Sequence, residues 1–171
     1  MTDARMDAGG GALRIALVGA ESTGKTALAQ ALALRLAELT GLRCTAVAEW
    51  LRQWCDAHGR TPRPDEQQGI AEQQQALIDT AAATHDIVVC DTTPLMTAVY
   101  SAMLFDDTSL VPYAMAQQRR CALTLLTALD IPWVADGLQR DGPQVRGPVD
   151  DHVRALLIGH DLPWALVAGS G

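Results

Sequence analysis

Apolar positions along this chain alternate between short unbroken runs and longer stretches in which they return every third or fourth residue. Leu13–Val18 is an apolar run closed by Gly19, which predicts a buried strand. Residues 27–39 are rich in alanine and leucine, with Leu28, Leu32, Leu36 and Leu39 at helical spacing and Gly41 as the stop. Residues 43–48 predict a second strand. A short helix follows, with Trp50, Leu51 and Trp54 on one side. After the loop 61–64, Asp65 opens a helix in which Gln68 completes a capping-box-like start, and Ile70, Leu77, Ile78 and Ala81 form its apolar side. Residues 87–90 read as a buried strand ending in Asp91. Thr93-Pro94 begins a helix carrying Leu95, Met96, Val99, Tyr100, Met103 and Leu104 at helical spacing. A further short helix starts at Pro112, and 121–127 is a fourth strand. The segment 130–148 is dense in Pro, Gly, Asp and Arg, which predicts a loop or lid. Asp150 or Asp151 then opens a helix with Val153, Leu156 and Leu157 inward, and 164–168 is a last strand.

Strands alternating with helices predict parallel pairing through helical crossovers. The expected fold is therefore α/β, a three-layer arrangement around a mostly parallel five-stranded sheet. A single domain over 12–171 follows a frayed polar tail, 1–11, and no internal repeat is visible. The 171 residues are 49% hydrophobic and 19% charged, enough to bury a core. No apolar run approaches membrane-spanning length, and no charged-then-apolar leader opens the chain. The net charge of −7 argues against nucleic-acid backbones as partners, though a focused cationic pocket could still hold a nucleotide. Cys44, Cys55, Cys90 and Cys121 show no metal-ligand spacing, which suits buried thiols in a reduced, cytoplasmic setting. Oligomeric state is left open, with a homo-oligomer possible.

The chemistry gathers after the first strand. Gly19-Ala20-Glu21-Ser22-Thr23-Gly24-Lys25-Thr26 has the complete P-loop pattern between a strand and a helix. Gly19 and Gly24 let the backbone approach a ligand, and successive N–H groups can converge on phosphate with the positive end of the helix behind them. The chain's one lysine is Lys25, among 13 basic residues. A compact ammonium suits a tight phosphate cradle where a planar guanidinium does not. Lys25 is expected on the β- and γ-phosphates of ATP, with the Thr26 hydroxyl on Mg²⁺.

The residues beyond the loop narrow the class. Asp91-Thr92-Thr93-Pro94 breaks the DxxG switch of a GTPase, and Thr127-Ala128-Leu129-Asp130 lacks the lysine of its guanine reader. No glutamate follows Asp91 to polarise water, which favours a small-molecule kinase. Asp91, at the carboxyl end of a buried strand, is a candidate metal ligand, acceptor contact or base. Glu49, on the same rim, could take the acceptor's proton or hold a ribose hydroxyl, and Arg52 lies one turn later. Arg140 and Arg146 in the lid segment could close over the transferring phosphoryl group, and Asp136 could bind substrate hydroxyls. Trp50 and Trp54 are either core or stacking residues. The competing reading is a regulatory ATP-binding module that hydrolyses slowly, without a small-molecule acceptor.

The stretches 15–26, 48–52 and 91–92, and above all Asp130-Ile131-Pro132-Trp133-Val134-Ala135-Asp136-Gly137 with Arg140 and Arg146 after it, resemble the NadR-type ribosylnicotinamide kinases and their AAA-labelled relatives. The resemblance covers roughly 13 to 168. It implies ATP-dependent phosphorylation of the 5′-hydroxyl of nicotinamide riboside. On it Lys25 and Thr26 would hold ATP and magnesium, Glu49, Arg52 and Asp91 would face the acceptor, and the two arginines would close over the phosphates. No DNA-binding or adenylyltransferase segment is expected ahead of this region.

Overall fold

A computed structural model of the chain describes residues 11–134 and 142–169. Five strands, β1 (Leu13–Val18), β2 (Cys44–Val47), β3 (Ile87–Asp91), β4 (Leu123–Thr127) and β5 (Ala165–Val167), form one sheet in the order β2-β3-β1-β4-β5. Every pairing is parallel. The helices are α1 (Lys25–Thr40), α2 (Trp50–His58), α3 (Gln67–Thr84), α4 (Pro94–Phe105), α5 (Val111–Gln118) and α6 (Arg146–Gly159). This is the three-layer α/β architecture expected from the alternation of strands and helices.

The period-two geometry of a strand explains the layers. Leu17, Val89 and Leu125 share one face with Ala46 and pack on α1 through Ala29, Ala33, Leu28, Leu32 and Leu36. Their strand neighbours turn to the other face. Val47, Val88 and Cys90 meet Ile78 of α3. Val18 and Leu126 meet Leu95 and Val99 of α4, Met115 of α5 and Leu157 of α6. Because both faces are covered, β1 is apolar at every position except Arg14. Each fully buried leucine, such as Leu17 or Leu126, stabilises the fold by about 1.5–3 kcal/mol.

α1 begins at Lys25, as expected of the helix behind the phosphate loop, so Lys25 and Thr26 form its first turn; at its other end Leu39 is 65% exposed rather than inward. Two boundaries moved. The capping interaction lies earlier than Asp65 and Gln68: a 3-10 turn over Pro64–Glu66 precedes α3, and the Glu66 carboxylate accepts the Arg63 N–H at 2.7 Å. α6 begins at Arg146 instead of Asp150, and a 3-10 turn, Pro143–Val145, leads into it. Pro148 is the third residue of this helix, where the missing N–H has no partner to lose, so its presence did not mean loop. The carboxyl part of the expected lid, 142–148, is thereby helical or leads directly into the helix. The calls at 1–10 of the tail, at 135–141 of the lid and at 170–171 lie outside the described residues. Among the described residues no helix is long and apolar enough to cross a membrane.

Candidate active site

β1 and β3 are neighbours, but the chain runs from β1 toward β2 and from β3 toward β4, in opposite directions, and a crevice opens at their carboxyl ends. The Gly19–Thr26 loop fills the turn out of β1. Gly19 takes φ 145°, Ser22 φ 55° and Gly24 φ 82°, an irregular winding that turns successive peptides and makes an N–H concavity. Gly19 is required sterically as well, because a Cβ there would run into the Thr127 hydroxyl, with the Thr127 main chain behind it at 3.2–3.3 Å. Thr23 anchors the loop from beneath. Its hydroxyl reaches the Ala20 carbonyl at 2.8 Å and shares a 2.6 Å hydrogen bond with the Thr127 hydroxyl.

A cleft of about 430 Å³ runs over this loop. Glu21 to Ala27 line it together with Asp91; Glu49 and Arg52 form another part, and Ile131, Pro132 and Val134 complete it. The Lys25 ammonium lies across the loop, donating to the carbonyls of Gly19 at 3.0 Å and Ala20 at 2.7 Å. The Thr26 hydroxyl donates to Asp91 Oδ2 at 2.6 Å. Asp91 is 3% exposed, and its Oδ1 is buried without a hydrogen-bond partner among the described residues. A hydroxyl beside a carboxylate with an unengaged oxygen, at the mouth of a phosphate-sized cleft, suits a small hard cation that takes oxygen ligands and completes its shell with water and phosphate. Among the described residues no group of three His, Cys, Asp or Glu side chains is placed to hold a metal.

Two polar residues that sequence reasoning passed over set the geometry. Gln74 of α3, 2% exposed, accepts the Trp50 N–H at 2.7 Å and donates to the Ala48 carbonyl at 3.3 Å. Its amide therefore clamps the backbone on both sides of Glu49. The available signal was a glutamine four residues after Ile70, on the apolar side of the helix. Gln118 of α5 accepts the Thr93 hydroxyl at 2.7 Å and donates to Thr124 at 2.8 Å, which braces the turn after Asp91. Thr92 in that turn has φ 78°, a conformation costly for a β-branched residue.

The expected lid residues part company. Asp136 and Arg140 lie outside the described residues. Arg146 is 8% exposed in the first turn of α6, and its Nη2 donates to the Ile131 carbonyl at 2.8 Å. It braces the cleft wall from behind instead of reaching over the cleft. The other end of that wall is clipped to the loop: Ser22 Oγ donates to the Val134 carbonyl at 2.7 Å and accepts the Val134 N–H at 3.2 Å. Trp50 and Trp54 belong neither to the core nor to this cleft. Both line a separate groove with His58, where Trp54 stacks on His58 at 3.8 Å and carries Arg60 at 5.0 Å. Burial pushes the Cys55 and Cys121 thiols up to about 11, and pushes Cys90 higher still, so these are inert thiols at neutral pH.

A model of the AAA domain family matches residues 14–171. The chain belongs to that family. No curated protein sequence matches it. Among solved structures, this AAA domain is similar to NadR protein in complex with NR, with TM-score 0.72 and 20% identity over 94% of this chain. NadR in complex with NAD and AMP-PNP gives TM-score 0.67 and 18% identity, again over 94% of this chain. The AAA domain spans less than half of those NadR chains, 44% and 45%. Thymidylate kinase from Ehrlichia chaffeensis gives TM-score 0.62 and 15% identity over 95% of this chain and 89% of the kinase. The AAA domain therefore has the P-loop kinase fold.

Proposed function

We propose that this AAA domain is an ATP-dependent kinase that phosphorylates a hydroxyl of a small molecule, a nucleoside such as nicotinamide riboside. The observation that carries this reading is the two-sided cleft: Thr26 bonded to Asp91 on one side of the phosphate loop, Glu49 and Arg52 facing the same space. A hydrolase needs only the first side. The second side supplies a carboxylate and a guanidinium for an acceptor.

The two carboxylates divide the work. Asp91 is committed to Thr26, and together they would hold magnesium, which supplies charge neutralisation to the phosphates when bound. Glu49 is thereby the base. Gln74 holds its backbone, and its carboxylate would accept the proton of the acceptor hydroxyl as the phosphoryl group arrives. The N–H groups of residues 19–26 would bind the phosphate chain. Lys25 would leave the Gly19 and Ala20 carbonyls to stabilise the equatorial oxygens, and Arg52 would orient the acceptor.

The test is incubation with Mg-ATP and a nucleoside panel, followed by chromatography of the products. A phosphorylated nucleoside is expected, and Lys25→Ala should lower kcat/KM by about a hundredfold or more, the scale of losing one preorganised transition-state donor. Slow phosphate release with no phosphorylated acceptor would instead support a regulatory nucleotide-hydrolysing module.

A further inference from the structure

The cleft does not stop at Glu21. That residue also stands on the wall of a second cavity, of about 280 Å³, at the end of the crevice away from β4. Much of its wall is apolar: Leu51 of α2, Pro62 of the loop before α3, and Tyr100, Leu104 and Phe105 from the last turns of α4. Leu104 is 57% exposed, although α4 is buried along its first two turns. The apolar face of α4 thus ends at this cavity, next to two aromatic rings.

Glu21 and Thr61 add polar groups to its rim, and one amide is built into the floor. Gln67, the first residue of α3, lines the cavity and is only 6% exposed. Its Nε2 donates to the Pro62 carbonyl at 3.2 Å. Two carbonyl oxygens cannot face each other at that distance, so the orientation of the amide is fixed by its neighbour. The remaining group, Oε1, is an acceptor in a largely apolar slot. Such a combination of flat apolar walls and one oriented acceptor is how a site selects an aromatic ring and reads one donor on its edge.

We propose that this cavity is the ring subsite for the acceptor, that it takes a flat heteroaromatic ring bearing an N–H donor (a carboxamide, an imide or an exocyclic amine), and that Gln67 Oε1 reads that donor. The assignment rests on the kinase reading. It adds where the acceptor's ring lies and which of its atoms is recognised. Leu51 precedes Arg52 on α2, so a nucleoside lying across Glu21 would have its ring in the cavity and its sugar at Glu49 and Arg52. Discrimination follows the rule for buried polar groups. A ring lacking the donor leaves Oε1 without a partner and binds more weakly than its size alone would predict.

The experiment is steady-state kinetics of the whole protein on nicotinamide riboside, uridine, cytidine, 3-methyluridine and ribose, at saturating Mg-ATP. In Gln67→Met, KM for the best donor-bearing nucleoside should rise about tenfold or more, the scale of one lost hydrogen bond to a buried group, with KM for ATP unchanged. The preference for uridine over 3-methyluridine should shrink to within about twofold of unity by the same reasoning. Leu104→Glu, at an exposed position that tolerates substitution, should raise KM for every ring-bearing acceptor and leave ribose unaffected. If wild type turns nucleosides over and neither variant moves these values, the ring binds elsewhere and the proposal is overturned. If wild type phosphorylates no nucleoside, the kinase reading falls. Calorimetric titration of the same nucleosides then decides the cavity by itself: heat that Gln67→Met abolishes supports it, and no heat overturns it.

Discussion

Replacing Asp91 with asparagine should separate stability from function. In the protein Asp91 is 3% exposed, one oxygen accepts the Thr26 hydroxyl at 2.6 Å, and the other is buried without a partner among the described residues. A buried acceptor left unpaired costs about 1–3 kcal/mol. The amide keeps an oxygen for Thr26 and puts a neutral NH2 where the unpaired oxygen stood, so the nucleotide-free variant recovers only the share of that cost due to the charge, on the order of 1 kcal/mol. In a domain of this length 1 kcal/mol corresponds to about 2–4 °C in Tm, here upward. With Mg-ATP the order should invert. At a hundred times Kd a ligand adds about 2.7 kcal/mol, or about 5–11 °C, to the wild type, whereas an amide cannot neutralise a divalent cation and gains far less. The assay is a melting curve of each protein with and without Mg-ATP, and with ATP plus a chelator. The variant should melt above wild type alone and below it with Mg-ATP, and the chelator should remove most of the wild-type gain. A variant that melts several degrees lower without nucleotide would mean that Asp91 is an ordinary structural residue. An undiminished ligand shift would mean that it has no part in holding the cation.

Three further outcomes are expected. Gly19→Ala should destabilise the protein by about 2–5 kcal/mol, from overpacking against Thr127 and backbone strain, and an unchanged urea midpoint would contradict the steric argument. Gln74→Leu removes both hydrogen bonds that clamp the backbone around Glu49, at a cost of about 1–3 kcal/mol; turnover should fall while ATP affinity by calorimetry stays constant, and a loss of ATP affinity would count against a role confined to the acceptor side. Glu66 is held down to about 2 from its ordinary 4.5, first by the Arg60 guanidinium and then by the Arg63 N–H. Because the folded-state value is the lower one, its contribution is present above pH 4.5 and disappears as the pH falls toward 2, so the difference in Tm between wild type and Glu66→Gln should close over that window. A gap independent of pH would refute the pairing.

Much of this protein was readable along the chain because the signals are local. The run Leu13–Val18, the eight-residue loop and the helix behind it are consecutive, and backbone geometry links them without help from elsewhere. The strands were equally plain, since a parallel sheet covered on both faces favours short, mostly apolar runs. What the sequence left open were choices between distant residues. Glu49 and Asp91 looked interchangeable until the sheet order set Asp91 against Thr26, 65 positions away. Arg146 read as a lid residue because proline and glycine surround it, but a first helical turn tolerates both. Gln74, Gln118 and Thr127 carry no motif, since a buried amide or hydroxyl matters only through the partner that folding brings to it. Sequence by itself determined the phosphate loop and the layered fold, because backbone conformation and burial periodicity are encoded in neighbouring residues. The tertiary structure alone decided which carboxylate meets the Thr26 hydroxyl, what clamps the backbone around the other, and where a second cavity opens, because those depend on side chains that meet only once the sheet has formed.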